Sequence, residues 1–453
     1  MKKTNDLGKG NIGKLLISLA APAIVAQLVN VLYNIVDRIF IGRMDNGELA
    51  MAGVGVAFPI LMLISAFSAL IGMGGAPLCA IKMGEKNNDE AEKIMSNSFS
   101  MLLIISVILT TIFLIFKEPI LFAFGASEAT IGYALEYLSI YVLGTIFVQI
   151  ALGMNPYINT QGFANIGMMT VIIGAIINII LDPIFIFVFD LGVKGAALAT
   201  VAGQMVSALW VLKFLFGGKS ILKIRKKYMI PEPKVVASTV SLGVSPFIMQ
   251  STESLVLISL NTRLSMFGGD IAVGAMTIMS SIMQIVVMPL QGLSQGAQPI
   301  ISYNYGAKQM DRVKKTFKLT LISCIGYTVI MCSLLMIFPN LFVSIFNNKP
   351  ELVAVTTWAI RIYFAGIFVF GAQVACQQTF LALGQAKISL FLALLRKVVL
   401  LIPLIYILPR FFENKLMGVL MAEPIADILA TLTTVTCFAI FYKKRFNKIE
   451  EEN

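Results

Sequence analysis

The chain has 453 residues, 58% of them apolar and 13% charged, with a mean hydropathy of +0.86 and a formal net charge of +11. About a quarter of the residues of an average soluble chain are charged, so a water-soluble particle is excluded and lipid must solvate most of the surface. The lack of any histidine removes the usual zinc sites and the Ser-His-Asp and Cys-His nucleophile systems, which leaves acid-base chemistry to carboxylates.

A helix needs about 20 apolar residues to cross ~30 Å of hydrocarbon. Long apolar runs broken by charge clusters predict twelve such spans, near residues 14–42, 50–81, 94–116, 129–153, 165–189, 195–216, 235–262, 271–301, 319–346, 352–382, 386–408 and 416–442. The expected fold class is therefore an all-α polytopic membrane protein. The run over residues 15–41 is too long and too polar for the core of a cleaved leader, so it reads as the first span. Alternating the connections places 24 of the 35 lysines and arginines on one side and 7 on the other. By the positive-inside rule both termini are expected in the cytoplasm of a multi-pass plasma-membrane protein. The positive charge is then a topology signal, and nucleic acid is not an expected partner. Five scattered cysteines without a C-x-x-C pair read as small buried hydrophobes.

The most basic connection lies at the midpoint. It divides the chain into a six-helix lobe over 1–217, a basic cytoplasmic linker over 218–234 and a second six-helix lobe over 235–453. A shift of 222 residues superposes Gly74, Pro77, Gly84, Lys86 and Asp89 on Gly296, Pro299, Gly306, Lys308 and Asp311. The same shift pairs Gly144 with Gly366 and Gly162 with Gly384. Helix-packing glycines alone explain the residue types but not the constant offset. Six spans return the chain to the same side, so the repeats are expected to be parallel, as in transporters whose substrate site lies between halves.

Charges inside hydrocarbon are costly and mark functional sites by default. In the first span Gln27, Asn30, Asn34 and Asp37 recur at steps of three and four with Tyr33 beside them, forming one polar stripe. Asp37 either faces a wet cavity or pairs with Arg38 near the outer interface. In the fifth span Asn178 and Asp182 share a face, and Pro183 removes a backbone donor beside them. Thr200 can add a hydroxyl. Two carboxylates, an amide oxygen and a hydroxyl suit a small hard cation such as Na⁺, and without it the paired acids would hold a proton. The alternative for Asp182 is an interfacial helix end. In the seventh span Gln250, Glu253 and Asn261 repeat the stripe; Glu253 either meets substrate or a proton, or pairs structurally with a residue such as Arg361. Glu423, Asp427, Arg396 and Lys397 are expected to pair with one another between the last two spans. Met276, Met279 and Met283 lie on one face of the eighth span, either in its core or in a pocket that accepts many shapes. Gly292 to Gly296 fits G-x-S-x-G, yet without histidine it can make no triad, so no enzyme is expected.

The segments Tyr33 to Gly42 (YNIVDRIFIG), Asn178 to Phe187 (NIILDPIFIF), Gly195 to Gln204 (GAALATVAGQ) and Pro289 to Lys308 (PLQGLSQGAQPIISYNYGAK) together resemble the bacterial multidrug-efflux type of the multidrug and toxic compound extrusion (MATE) family over nearly the whole chain. The resemblance implies twelve helices in two lobes around a central cavity. It implies export of amphipathic, often cationic, drug-like small molecules in exchange for inward H⁺ or Na⁺, with no other cofactor and no obligate protein partner. Asp37, Asn178, Asp182 and Thr200 match the cation-site residues of DinF-like members. Tyr33, Asn34, Gln250, Glu253, Met276, Met279 and Met283 are the candidate substrate contacts. The NorM-like branch places an acid in the tenth span, and residues 352–382 contain none, which puts a second-lobe cation site in doubt. The runner-up is a lipid-linked saccharide flippase of the related superfamily, which would need a large cationic cavity.

Overall fold

The computed structural model describes residues 6–44, 46–346 and 349–446, and among them the regular structure is entirely helical. Lys2, Lys3 and Lys448, which contribute to the expected orientation of the termini, lie outside the described residues. In chain order the first lobe comprises α1 (Ile12–Gly42), α2 (Gly47–Gly84), α3 (Asn88–Ala123), α4, α5 and α6 (Gly192–Leu215). Helix α4 runs as Ile131–Leu143 and Thr145–Thr160 with a 58° bend between them. Helix α5 is Ala164–Pro183, extended by the π-helical turn Ile184–Val188.

In the second lobe α7 (residues 233–268) and α8 (Ile271–Gly306) are the two limbs of one helical run, kinked at Gly269, whose φ of 62° only glycine adopts without cost. They are followed by α9 (Met310–Ile337) and by α10, made of Pro350–Tyr363 and Ile367–Ala382. Helix α11 starts as Ala386–Leu394 and continues through the π-helical turn Leu395–Leu401, and α12 is Lys415–Phe441. Ten of the described helices are long and apolar enough to cross a membrane, eleven with bent α4 counted as one. The remaining expected span is α7, in which Gln250, Glu253, Asn261 and Arg263 interrupt the apolar run.

The backbone repeats at the spacing of the sequence repeat. Lys86 and Lys308 have positive φ of 60° and 58°, and Gly162 and Gly384 have 83° and 70°. The break of α4 at Gly144 recurs at the 3-10 turn Phe364–Gly366 of α10. Each lobe has its own core: Ile71, Met95, Leu102 and Met154 are fully buried in the first, Leu260, Met279, Ile282 and Ile360 in the second. Packing and small residues, rather than a hydrophobic difference from lipid, hold such helices together.

The lobes meet where glycines admit close backbone approach. Gly74 packs on Thr239 and Gly243, Gly84 on Tyr303, Gly306 on Ile81, and Gly292 and Gly296 on Ile24 and Ala20. Phe67 and Phe247 meet edge to face at 4.9 Å. All these contacts lie in the half of the molecule that carries the basic connections. There the linker is docked on the first lobe. Arg225 Nε donates to Glu92 Oε2 at 2.8 Å, Leu222 N to Gln161 Oε1 at 2.9 Å, and Asn97 Nδ2 to the Tyr228 carbonyl at 2.9 Å. The Tyr228 hydroxyl and Lys227 hold the Asp89 carboxyl below the usual carboxylate range.

Candidate functional site

Helix α1 enters the membrane from the basic end and carries its polar stripe toward the far end, where α5 and α6 face it. Those two helices touch through glycine: a Cβ on Gly203 would come within 2.7 Å of the Gly174 carbonyl oxygen. This approach brings Asn178 to Thr200, and Asn178 Nδ2 donates to Thr200 Oγ1 at 3.3 Å and to Asp182 Oδ1 at 3.2 Å. Thr200 Oγ1 in turn donates to the Ala196 carbonyl at 3.0 Å. Asn178, Asp182 and Thr200 are buried, with Asp182 at 0% exposure.

The Asp37 and Asp182 carboxyls are within hydrogen-bonding reach of each other. Asp182 is thus no interfacial helix end. Asp37 does not pair with Arg38, whose guanidinium lies over the Phe58 ring at 5.3 Å. Successive residues on a helix point about 100° apart, so one neighbour faces the lobe interior while the other faces an aromatic surface. Two carboxylates in contact repel unless a proton or a cation lies between them. Three buried oxygens around this contact, Asp37 Oδ1, Asp182 Oδ2 and Asn178 Oδ1, have no hydrogen-bond partner. They supply the hard oxygen donors that a Na⁺ or a proton would occupy. Tyr137 and Tyr141 of α4 stack at 6.1 Å and stand beside the site. The four-residue spacing of these tyrosines is visible in the chain, but nothing in one sequence aims that face of α4 at Asp37.

The substrate candidates divide. Asn34, Gln250 and Glu253 are exposed and Tyr33 is half-buried, all inside their helices. A carboxylate or amide inside a span cannot face lipid cheaply, which suits the central cavity that the resemblance implies. Met276 and Met279 instead lie in the second-lobe core at 2% and 0% exposure, with Met283 packed against it. The methionine face turns inward because α8 packs it against α10 and α12, and the residues it leaves exposed are Thr277, Gln284, Ile285 and Gln291. Glu253 pairs with Lys397 of α11, not Arg361, and its side chain stays 67% exposed beside a lysine at 8%. Arg396 pairs with both Glu423 and Asp427 as expected, while Lys397 leaves that group for Glu253. Among the described residues no cluster of three or more cysteine, aspartate or glutamate side chains could hold a metal ion.

Comparison with known proteins agrees with this architecture. The MatE family model matches residues 22–184 and again 246–407, once per lobe. The chain is 26% identical over 424 residues to the "Multidrug export protein MepA" of Staphylococcus haemolyticus, covering 93% of each chain. Its identity to the protein of the same name from Staphylococcus aureus is 24% over 428 residues, covering 94% of this chain and 93% of the relative. A solved structure described as the outward-facing conformation of a multidrug resistance MATE family transporter of the MOP superfamily superposes with a TM-score of 0.91 at 22% identity, covering 100% of this chain and 99% of that one.

Proposed function

Since the chain belongs to the MatE family, we propose that it is a multidrug exporter that drives amphipathic, often cationic, organic compounds out of the cell in exchange for inward H⁺ or Na⁺. The observation that carries this reading is the contact, flanked by orphaned buried oxygens, between Asp182 and Asp37, the latter in a helix that also exposes the polar group of Asn34. A direct carboxyl-carboxyl contact suits a shared proton better than a fully coordinated Na⁺, so H⁺ is the favoured coupling ion. The family and the named relatives are transporters, which favours transport over catalysis.

The working cycle is alternating access. The two lobes close the end that bears the basic loops, and rocking about that seam would open a cleft between them to each side in turn. We place the basic end, with both termini, in the cytoplasm of a bacterial cell. The flippase reading loses support because the interior cations Arg396 and Lys397 are already matched by carboxylates and are not free to line a phosphate-binding cavity.

Reconstituted into liposomes with pH and Na⁺ gradients imposed separately, the protein should move a monovalent cationic dye against its gradient in response to at least one of them. One charge crossing 100 mV is worth about 2.3 kcal/mol, so a valinomycin-clamped potential separates electrogenic from silent exchange. Dye movement that ignores both gradients and requires nucleotide would sink the proposal.

A further inference from the structure

The second lobe gathers its interior ionisable groups around Arg396, in the π-helical turn of α11. Its guanidinium donates through Nε to Asp427 Oδ1 at 2.7 Å and through Nη2 to Glu423 Oε1 at 3.0 Å. The Phe370 ring of α10 lies under it at 4.7 Å. Lys397, the next residue, is committed elsewhere, to Glu253 and to the Met249 carbonyl at 2.8 Å. The other titratable group facing the cluster is the Tyr363 phenol of α10. Glu423 and Asp427 stand four residues apart on α12 and are 4% and 1% exposed.

The charges do not balance. Lys397 offsets Glu253 and Arg396 offsets one acid of α12, so one negative charge is left over in the membrane interior. Each α12 carboxyl also spends only one oxygen on the guanidinium. Glu423 Oε2 and Asp427 Oδ2 are buried without a hydrogen-bond partner. A net buried charge and two orphaned acceptors are both unfavourable in low dielectric. One proton cancels the surplus charge and turns one of the two orphaned acceptors into a neutral hydroxyl.

We propose that the second lobe binds one proton on the Glu423–Asp427 pair, with Arg396 as its fixed counter-ion, at a site separate from Asp37 and Asp182. The acid that α10 lacks is supplied here from α12. The proposal does not depend on which ion drives export. Its surplus is one charge, so removing either acid leaves Arg396 matched by the other and no proton is needed.

The test uses the full chain carrying Asp37→Asn and Asp182→Asn, purified in nanodiscs, with infrared detection of the carbonyl stretch of a protonated carboxylic acid and its shift in D₂O. One such band should persist at neutral pH. It should vanish when Glu423→Gln alone, or Asp427→Asn alone, is added, and size-exclusion and thermal unfolding profiles verify the fold of each single variant. Absence of the band in the starting protein would overturn the proposal. So would its survival in both single variants, or its abolition by Na⁺ at constant pH, which would make the site a sodium site.

Discussion

Gly243 packs so tightly on Leu70 that a Cβ at position 243 would sit 1.7 Å from the Leu70 carbonyl oxygen. Since backbone meets backbone there, no side-chain rotamer can relieve the overlap. Gly243→Val should therefore disfavour the state in which the lobes close at the basic end. With Thr239→Cys, buried at 0% in the same seam, as reporter on a Cys-free background, thiol labelling should accelerate roughly tenfold over the Gly243 parent, a shift of about 1.4 kcal/mol between states. Unchanged labelling would show that the seam does not open and close.

Asp37→Asn and Asp182→Asn should each abolish gradient-driven dye export while insertion and folding persist. Asparagine keeps the shape of the carboxyl but cannot alternate between charged and neutral or cation-bound forms. At matched expression, initial export rates should fall at least about tenfold, in keeping with the roughly 1.5–3 kcal/mol of a hydrogen bond to a charged group. Normal export in either variant would return that residue to a packing role.

Much of this site was legible in the chain because its determinants are local. Asn178 and Asp182 share a face by helical spacing alone, and Thr200 follows on the next helix of the same lobe. The Glu253 partner was not legible: Lys397 is 144 residues away, and only the packing of α7 against α11 selects it over Arg361. The core position of Met276 and Met279 was not legible for a related reason. A methionine stripe has the same spacing whether it faces a cleft or a core, and the choice is made by the helices opposite, which one sequence does not display. The linker composition likewise announced a loop but not its docking on Glu92 and Gln161.

Lys397 and Glu253 make opposite predictions for cationic cargo. Because Glu253 is largely open, Lys397→Met should leave its carboxylate solvated and free, and a cationic dye should bind the purified protein roughly three- to tenfold more tightly, about 0.7–1.4 kcal/mol. Glu253→Gln should weaken the same dye by a similar factor and leave a neutral dye unaffected. Fluorescence polarisation reads both. Equal losses in the two variants, for charged and neutral dyes alike, would mean that the pair only holds α7 to α11.

Orientation is tested at Lys219, on the basic connection. A Lys219→Cys variant on a Cys-free background should resist an impermeant thiol reagent added outside intact cells and react after permeabilisation. Ready labelling in intact cells would invert the assigned topology.

The seam itself is symmetric. Gly84 rests on Tyr303 and Gly306 on Ile81, and a shift of 222 converts one contact into the other. Two faces that exchange partners in this way form an isologous joint, the kind that joins identical subunits across a two-fold axis. A lone six-helix unit with this face would therefore present a surface complementary to its own copy. The two halves of that joint are chemically unlike: one carries an aspartate pair, the other an arginine flanked by two acids.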